Sequence, residues 1–328
     1  MMRRMACALL VCGSGWGLPA CSLEQAPRPV PPLQPAPTIR LPVTTEPVTL
    51  KCQPAQTAPA RDVALRRTFF DDFQQLDRSW TRWHPHYDGG WDAARQRWLG
   101  YDWLVKRTLQ GNKEQQLYVD PGYAGTGKVP LGLDPFRRVD GHLAITAQRT
   151  PPQARSALAG YEFVSGLLTS RPSFTQKHGF FEMRARIPAG KGLWPAFWLL
   201  PMDKSWPPEI DVFEVVGSEP EVIAQTTHWK DPQNGARRVS SCRTRLPGAD
   251  TAFHQYGVLW TPERIVFYLD RLPVAHFQTP PGLDQPMYML MNLAVGGTMV
   301  GPADADTPMP AALAIEWVAA YEVGEPAR

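Results

Sequence analysis

Long apolar runs are missing from this chain. Past the N-terminal region no stretch approaches the roughly 18–20 apolar residues a membrane-spanning helix needs, so the sequence offers no such helix. Clustered positive charge is missing too. The net charge is only +3, without an extended Lys/Arg run, and this removes the electrostatic footprint of a nucleic-acid binder. Cysteine is sparse, 5 in 328 residues, and no pair has zinc-site spacing. Helical periodicity is scarce and no internal repeat is found, which points away from bundles and solenoids. Two residue types are abundant instead: 35 prolines, unevenly spread, and 12 tryptophans, which suggest a large core or flat stacking platforms for ligands.

The chain begins MMRRMACALLVCGSGWGLPACS. Arg3 and Arg4 form a positive n-region and Met5 to Val11 a short apolar run, the pattern of an export signal over residues 1–21. Two processing readings fit. LPAC ending at Cys21 resembles a bacterial lipoprotein box, in which Cys21 becomes the lipidated first residue; the alternative is ordinary cleavage near Ala20. The short apolar run interrupted by glycine favours the first. The expected location is the periplasm or an outer-membrane-anchored lipoprotein, and otherwise a secreted protein. Cys7 and Cys12 leave with the signal and Cys21 is the candidate anchor. Cys52 and Cys242 remain, and an exported chain can oxidise them to a disulfide.

Residues 22–65 are crowded with proline and show no helical or strand period, so they read as an extended, semi-rigid tether. From 66 to 326 strand signals dominate. GFFEMRARIP (179–188) places Phe181, Met183, Ala185 and Ile187 on one face; RIVFYLDRLPVAHF (264–277) reads as strand, turn, strand; PMYMLMNLAVGG (286–297) is a long apolar strand ending in glycines. Many short strands over this length predict an all-β sandwich or jelly roll.

The most informative stretch is PPEIDVFEVVG (207–217). Side chains on a strand alternate faces, so Glu209 and Asp211 share a face while Glu214 falls on the other. One extra residue near Val212–Phe213, a β-bulge, would bring all three carboxylates to one face and leave Ile210, Val212 or Phe213, and Val215 to pack inward. Close carboxylates raise one another's pKa, a cost expected where chemistry is done; a solvated acidic face is the competing explanation.

The segment KGLWPAFWLLPMDKSWPPEIDVFEVVG (191–217) resembles glycoside hydrolase family 16, whose motif is E-x-D-x-x-E in its bulged form behind a W-P-A-x-W strand. Further pieces match in order: FFDDF with Trp80 and Trp83, GNKEQQLYVD (111–120), YEFVSGLLTS (161–170), TTHW (226–229), FHQYGVLWTPERIVFYLD (253–270) and MLMNLAVGG (289–297). The likeness runs from about 66 to 323 and implies a β-jelly roll whose concave sheet carries a substrate cleft. It implies retaining, endo-acting hydrolysis of internal β-linkages in a 1,3- or 1,3-1,4-linked β-glucan or a bacterial exopolysaccharide. A retaining glycosidase needs two carboxyl groups about 5–5.5 Å apart. On a flat strand Glu209 and Glu214 would stand roughly 13–16 Å apart at Cα, so bulge and bend must make them converge. By motif position Glu209 is the nucleophile and Glu214 the general acid and base, with Asp211 tuning the titration of the group.

Around this triad the sequence nominates substrate contacts. Trp194, Ala196 and Trp198 share one strand face, and at least one indole is expected to stack on sugar in the cleft. His228 is placed near the acid/base, or is a structural histidine. Asn112, Glu114 and Gln116 alternate on one strand face, and Asn112 resembles a sugar-binding position of the family. Asn292, polar within an apolar run, needs a partner in substrate or buried backbone. Arg171 and Trp229 complete the set. No cofactor is required and no catalytic metal is expected. Some relatives hold a structural calcium through an aspartate near the C-terminal strand, but LAIEWVAAYEV has Glu316 there, which counts against the ion. A monomer is expected, with polysaccharide as partner, no nucleic acid, and membrane contact only through the lipid anchor. A transglycosylase and a non-catalytic glycan-binding protein are the competing readings; the first shares the covalent intermediate, and the second usually lacks one of the carboxylates that are all present here. Residues 91–109 read as a variable insertion near the cleft.

Overall fold

Two antiparallel-dominated sheets pack face to face in the computed structural model, which describes residues 38–43, 61–87, 91–92, 97–98, 106–171 and 173–324. Period-two alternation explains the arrangement. Along Gly179–Arg186, Phe181, Met183 and Ala185 point into the space between the sheets, joined by Ile187 just beyond; Phe180 points outward into a second apolar cluster with Leu41, Leu65, Tyr268 and Tyr321. Along Met287–Val295, Met287, Met289, Met291, Leu293 and Val295 enter the core, while Tyr288, Leu290, Asn292 and Ala294 face the opposite way. This is the jelly-roll sandwich that the strand pattern predicts.

One sheet positions the site. Among the described residues it has 6 strands, in the order Arg237–Arg245, Val222–Lys230, Glu209–Val215, Leu193–Pro201, Met287–Val295 and Leu167–Thr169. Its inner face lies on the core and its outer face forms the floor of a groove. The second sheet backs the sandwich and contains the long C-terminal strand Ala311–Val323 between Gly179–Arg186 and His142–Arg149. Glu316, on that strand, is paired with Arg184, so a guanidinium takes the carboxylate that the calcium reading would need.

The bulge sits where the motif requires it. Against the strand Leu193–Pro201, Phe197 faces Phe213 and Trp198 faces Asp211, so Val212 is the extra residue. On the other side Asp211 faces Thr226 and Glu214 faces Ala224, three steps against two. Ile210, Val212, Phe213 and Val215 all enter the core. Both candidates for the inward position pack inward, because the bulge turns two successive side chains to the same side.

The proline-rich segment needs a correction. Residues 22–65 read as a tether, yet Thr38–Val43 forms a strand antiparallel to Arg61–Arg66, and Leu41 is buried against the outer cluster. Ile39 and Leu41 supply just enough alternation to cover the exposed back of the second sheet, and an edge strand tolerates Pro42. The export signal, Cys21 and the rest of the tether lie outside the described residues, as does most of the 91–109 insertion, of which Trp91–Asp92 pairs with Arg97–Trp98. Cys242 is disulfide-bonded. The other cysteines, the expected partner Cys52 among them, lie outside the described residues. If Thr38–Val43 is part of the fold, Leu41→Ala lowers the unfolding free energy by about 2 kcal/mol in urea titration; a residue in a free tether would give no change.

Candidate active site

The groove occupies about 1010 Å³ over the outer face of the six-stranded sheet. Glu209, Asp211 and Glu214 lie on its floor, with Trp194, Ala196 and Trp198 from one neighbouring strand and Ala224, Thr226 and His228 from the other. The bulge therefore does what the spacing predicts.

Each outer carboxylate has its own indole donor. Trp206 Nε1 donates to Glu209 Oε2 at 2.7 Å, and Trp194 Nε1 donates to Glu214 Oε1 at 3.0 Å. Asp211 is 2 % exposed, and its Oδ2 accepts no hydrogen bond. Burial, then the charge of Asp211, pushes Glu209 well above the usual carboxylate range. Burial, then the charge of Glu214, does the same to Asp211. Glu214 is raised to about 7, chiefly by burial and then by Glu209, while the Trp194 hydrogen bond works in the opposite direction. A carboxyl near 7 is half protonated at neutral pH, as a general acid should be.

His228 meets a different pair from the one expected. Its Nε2 stands 3.3 Å from Asp211 Oδ2 and 3.6 Å from Glu209 Oε1, on the nucleophile side of the triad, not beside Glu214. Its Nδ1 lies 2.9 Å from Arg237 Nη2. A guanidinium has only donors, so Nδ1 must accept and the proton sits on Nε2. Burial first, with Arg237 adding to it, lowers the imidazole pKa against the pull of Glu209. Glu209, Asp211 and His228 each offer one atom within 4.8 Å of the others, a grouping that could in principle hold a metal ion. The Nε2–H tautomer and the adjacent guanidinium do not fit a cation there.

The remaining nominated residues divide. Trp194 and Trp198 both line the groove, but each is only 8 % exposed and each uses its indole N–H on a neighbour. Trp198 donates to Asn292 Oδ1 at 2.8 Å, and Asn292 Nδ2 donates to Tyr118 Oη at 3.0 Å. The partners of Asn292 are thus side chains, not backbone. The exposed indole of the groove is Trp206, 50 % accessible, which the sequence reading missed. Its one sequence signal is an aromatic immediately before PPE. Asn112 does line the groove, but not from a strand: Gln110–Asn112 is a single 3-10 turn, Lys113 is left-handed at φ 56°, and the strand is only Gln116–Tyr118. The polar alternation there wraps Glu114, which accepts from Leu109 N, Asn112 Nδ2 and Gln116 Nε2. Gly297, at φ +124°, lets this loop close on the site, since a Cβ would come within 2.9 Å of the Trp194 ring. Trp229 is a correction. It follows His228 on a strand, so it faces the other way and packs against the core. Arg171 lies over Tyr288 at 5.6 Å and donates to Met202 O, outside the groove lining.

Two outcomes follow from Glu214. Its indole donor favours the ionised form, so Trp194→Phe raises its pKa and moves the alkaline limb of kcat/KM to higher pH. Its folded pKa also exceeds the unfolded value of 4.5. Between 4.5 and about 7 the unfolded chain binds fewer protons, so stability falls as pH rises through that window. Glu214→Gln removes this loss. Its stability gain over the native chain should grow across the same window, to at most about 3 kcal/mol, measured by urea unfolding at several pH values.

Residues 134–319 match the family model for glycosyl hydrolases family 16. The chain is 40% identical over 262 residues to the endo-1,3-1,4-beta-glycanase EglC of Rhizobium meliloti, covering 79% of this chain and 52% of that protein. It is 42% identical over 244 residues to ExsH, an endo-1,3-1,4-beta-glycanase of the same organism, covering 73% and 48%. The chain thus spans about half the length of these curated relatives. Among solved structures, the laminarinase from Rhodothermus marinus superposes with a TM-score of 0.60 at 30% identity, over 80% of this chain and 98% of that one. With the bulged carboxylate triad in a groove on a β-sandwich, these likenesses show that the chain belongs to glycoside hydrolase family 16.

Proposed function

We propose that the protein is a retaining, endo-acting O-glycosyl hydrolase that cleaves internal β-glycosidic bonds of a 1,3- or 1,3-1,4-linked β-glucan or a bacterial exopolysaccharide. The observation that carries this reading is the pair of flanking carboxyls in unlike environments, Glu209 bound to an exposed indole and Glu214 poised near neutrality. The groove has lining residues from five strands of the floor sheet, as a site for a polymer running across it would. The endo-1,3-1,4-glycanase and laminarinase relatives support the substrate class.

In this reading a sugar unit lies across the strand Glu209–Val215. Glu209 attacks the anomeric carbon as the carboxylate, and Glu214 gives its proton to the leaving oxygen, so the glycosidic bond breaks as the glycosyl-enzyme ester forms. Glu214, now ionised, takes a proton from water, which attacks the same carbon and releases Glu209. Two inversions return the β-configuration. Asp211 is buried beside Glu209 and the two carboxyls share a proton; the Trp206 indole and the His228 imidazole favour the ionised form of Glu209 that attacks. We also propose that the chain is exported and tethered through Cys21, and that it acts as a monomer. The support is the basic n-region, the LPAC sequence and the proline-rich stretch. Among the described residues no helix is long and apolar enough to cross a membrane.

Incubation with soluble β-1,3- and mixed-linkage glucans and with bacterial exopolysaccharides tests the proposal. Oligosaccharides should appear from one class, with the newly formed end β by NMR at early times. Glu209→Gln and Glu214→Gln should each lower turnover on the order of 10³-fold with the fold intact by circular dichroism. Near-native turnover in either variant would overturn the assigned roles, and an α product would overturn retention.

A further inference from the structure

Glu209 is approached by two groups, the Trp206 indole and the His228 imidazole, and both rest on one residue. Arg237 begins the edge strand Arg237–Arg245. Its guanidinium contacts His228 Nδ1 at 2.9 Å and lies 5.1 Å from the centre of the Trp206 ring. The two rings it holds are 6.3 Å apart. Trp206 donates to one oxygen of Glu209, and His228 Nε2 faces the other as well as Asp211. Trp206 is half exposed on a loop, and an imidazole at this depth could take either tautomer without a donor at Nδ1.

We propose that Arg237 is a positioning residue for the nucleophile: it holds Trp206 where its indole donates to Glu209, and it holds His228 as the Nε2–H tautomer facing Glu209 and Asp211. The proposal rests on the reading of Glu209 as nucleophile, and it names a residue outside the carboxylate motif on which that role depends. Charge supports it. The charged groups acting on His228 among the described residues are Glu209, Asp211 and Glu214 from the motif strand and Arg237 from the edge strand, so Arg237 opposes three carboxyls there. Without it the imidazole would take up a proton more easily and supply that charge itself, at the cost of the fixed tautomer.

The test combines spectroscopy with kinetics. In ¹⁵N NMR of histidine-labelled protein, native His228 should be protonated at Nε2 and titrate below the ordinary range. In Arg237→Met its midpoint should rise and the Nε2–H preference should weaken. With a responsive glucan, Arg237→Met should lower kcat at least about 10-fold while KM stays within about 2-fold, and Arg237→Lys should recover part of the loss. In a Trp206→Phe, His228→Gln background the Arg237→Met change should cost less than about 2-fold, because the residues it acts through are gone. An unchanged tautomer and midpoint, a loss confined to KM, or a full additive loss in that background would each overturn the proposal. Should Arg237→Met fail to fold, Arg237→Gln carries the same comparison. The NMR arm needs no substrate. A chain inactive on every glycan but with the expected tautomer shift would refute the hydrolase reading and leave the Arg237 contact standing.

Discussion

Everything in this site depends on keeping three carboxyl groups on one face of a strand whose other face is dry. A flat strand cannot do it, since the period of two would drive Glu214 into the core with Ile210 and Val212, where an unpaired carboxylate is costly, and would turn Phe213 out to the groove. One extra residue, Val212, solves both problems. It gives the core another apolar side chain and returns Glu214 to the groove. The cost is electrostatic: three crowded carboxyls, Asp211 buried between the other two, cannot all ionise, so the cluster holds back protons. Indole N–H groups, an imidazole and a guanidinium then decide where the remaining negative charge settles.

That division of labour gives chemically identical groups different tasks. Glu209 and Glu214 are both partly buried on the groove floor, and each accepts one indole N–H. They differ in company. Glu209 has the half-exposed Trp206 indole and Asp211 beside it, with the imidazole at 3.6 Å; Glu214 has the more enclosed Trp194 indole and lies across the bulge. Trp198, Asn292 and Tyr118 form a connected chain beneath one wall of the groove, in which each polar atom that would be stranded finds a donor or acceptor. The tryptophans are therefore used less as flat platforms than as N–H donors set in an apolar frame. Trp206 alone, half exposed, is free to offer a face.

Much of this was legible in the chain. The strand Gly179–Arg186 alternates so cleanly that its core face could be assigned from sequence, Met287–Val295 could be read as a strand though not by face, and the misfit of Glu214 announced the bulge. The misreadings have physical causes. Trp229 lies in the matching TTHW segment, but it is adjacent to His228 on a strand and so points to the opposite side. Asn112, Glu114 and Gln116 stand at strand spacing, but the segment is a turn leading into a short strand, and Asn112 and Gln116 donate to the buried Glu114 carboxylate. Thr38–Val43 was hidden by the prolines around it. Arg237 could not be found at all from RRVSSCRTR, which looks like a solvated edge. Its meaning comes from strand register: Val239 sits opposite His228, so Arg237 is the diagonal neighbour that reaches the ring.

The edge strand carrying Arg237 has a backbone rim with no strand partner on its far side among the described residues. Rims of this kind open locally long before a sandwich melts. The groove wall formed by Arg237, Val239, Ser241 and Arg243 would then be the first part of the site to fray, and the protein would lose its nucleophile's support while its core was still intact. Cys242, disulfide-bonded and buried, lies in the middle of that stretch. Its side chain is the one on this strand that reaches the core, so the wall is pinned there while its charged neighbours stand in solvent, and the working shape of the groove hangs on that single anchor.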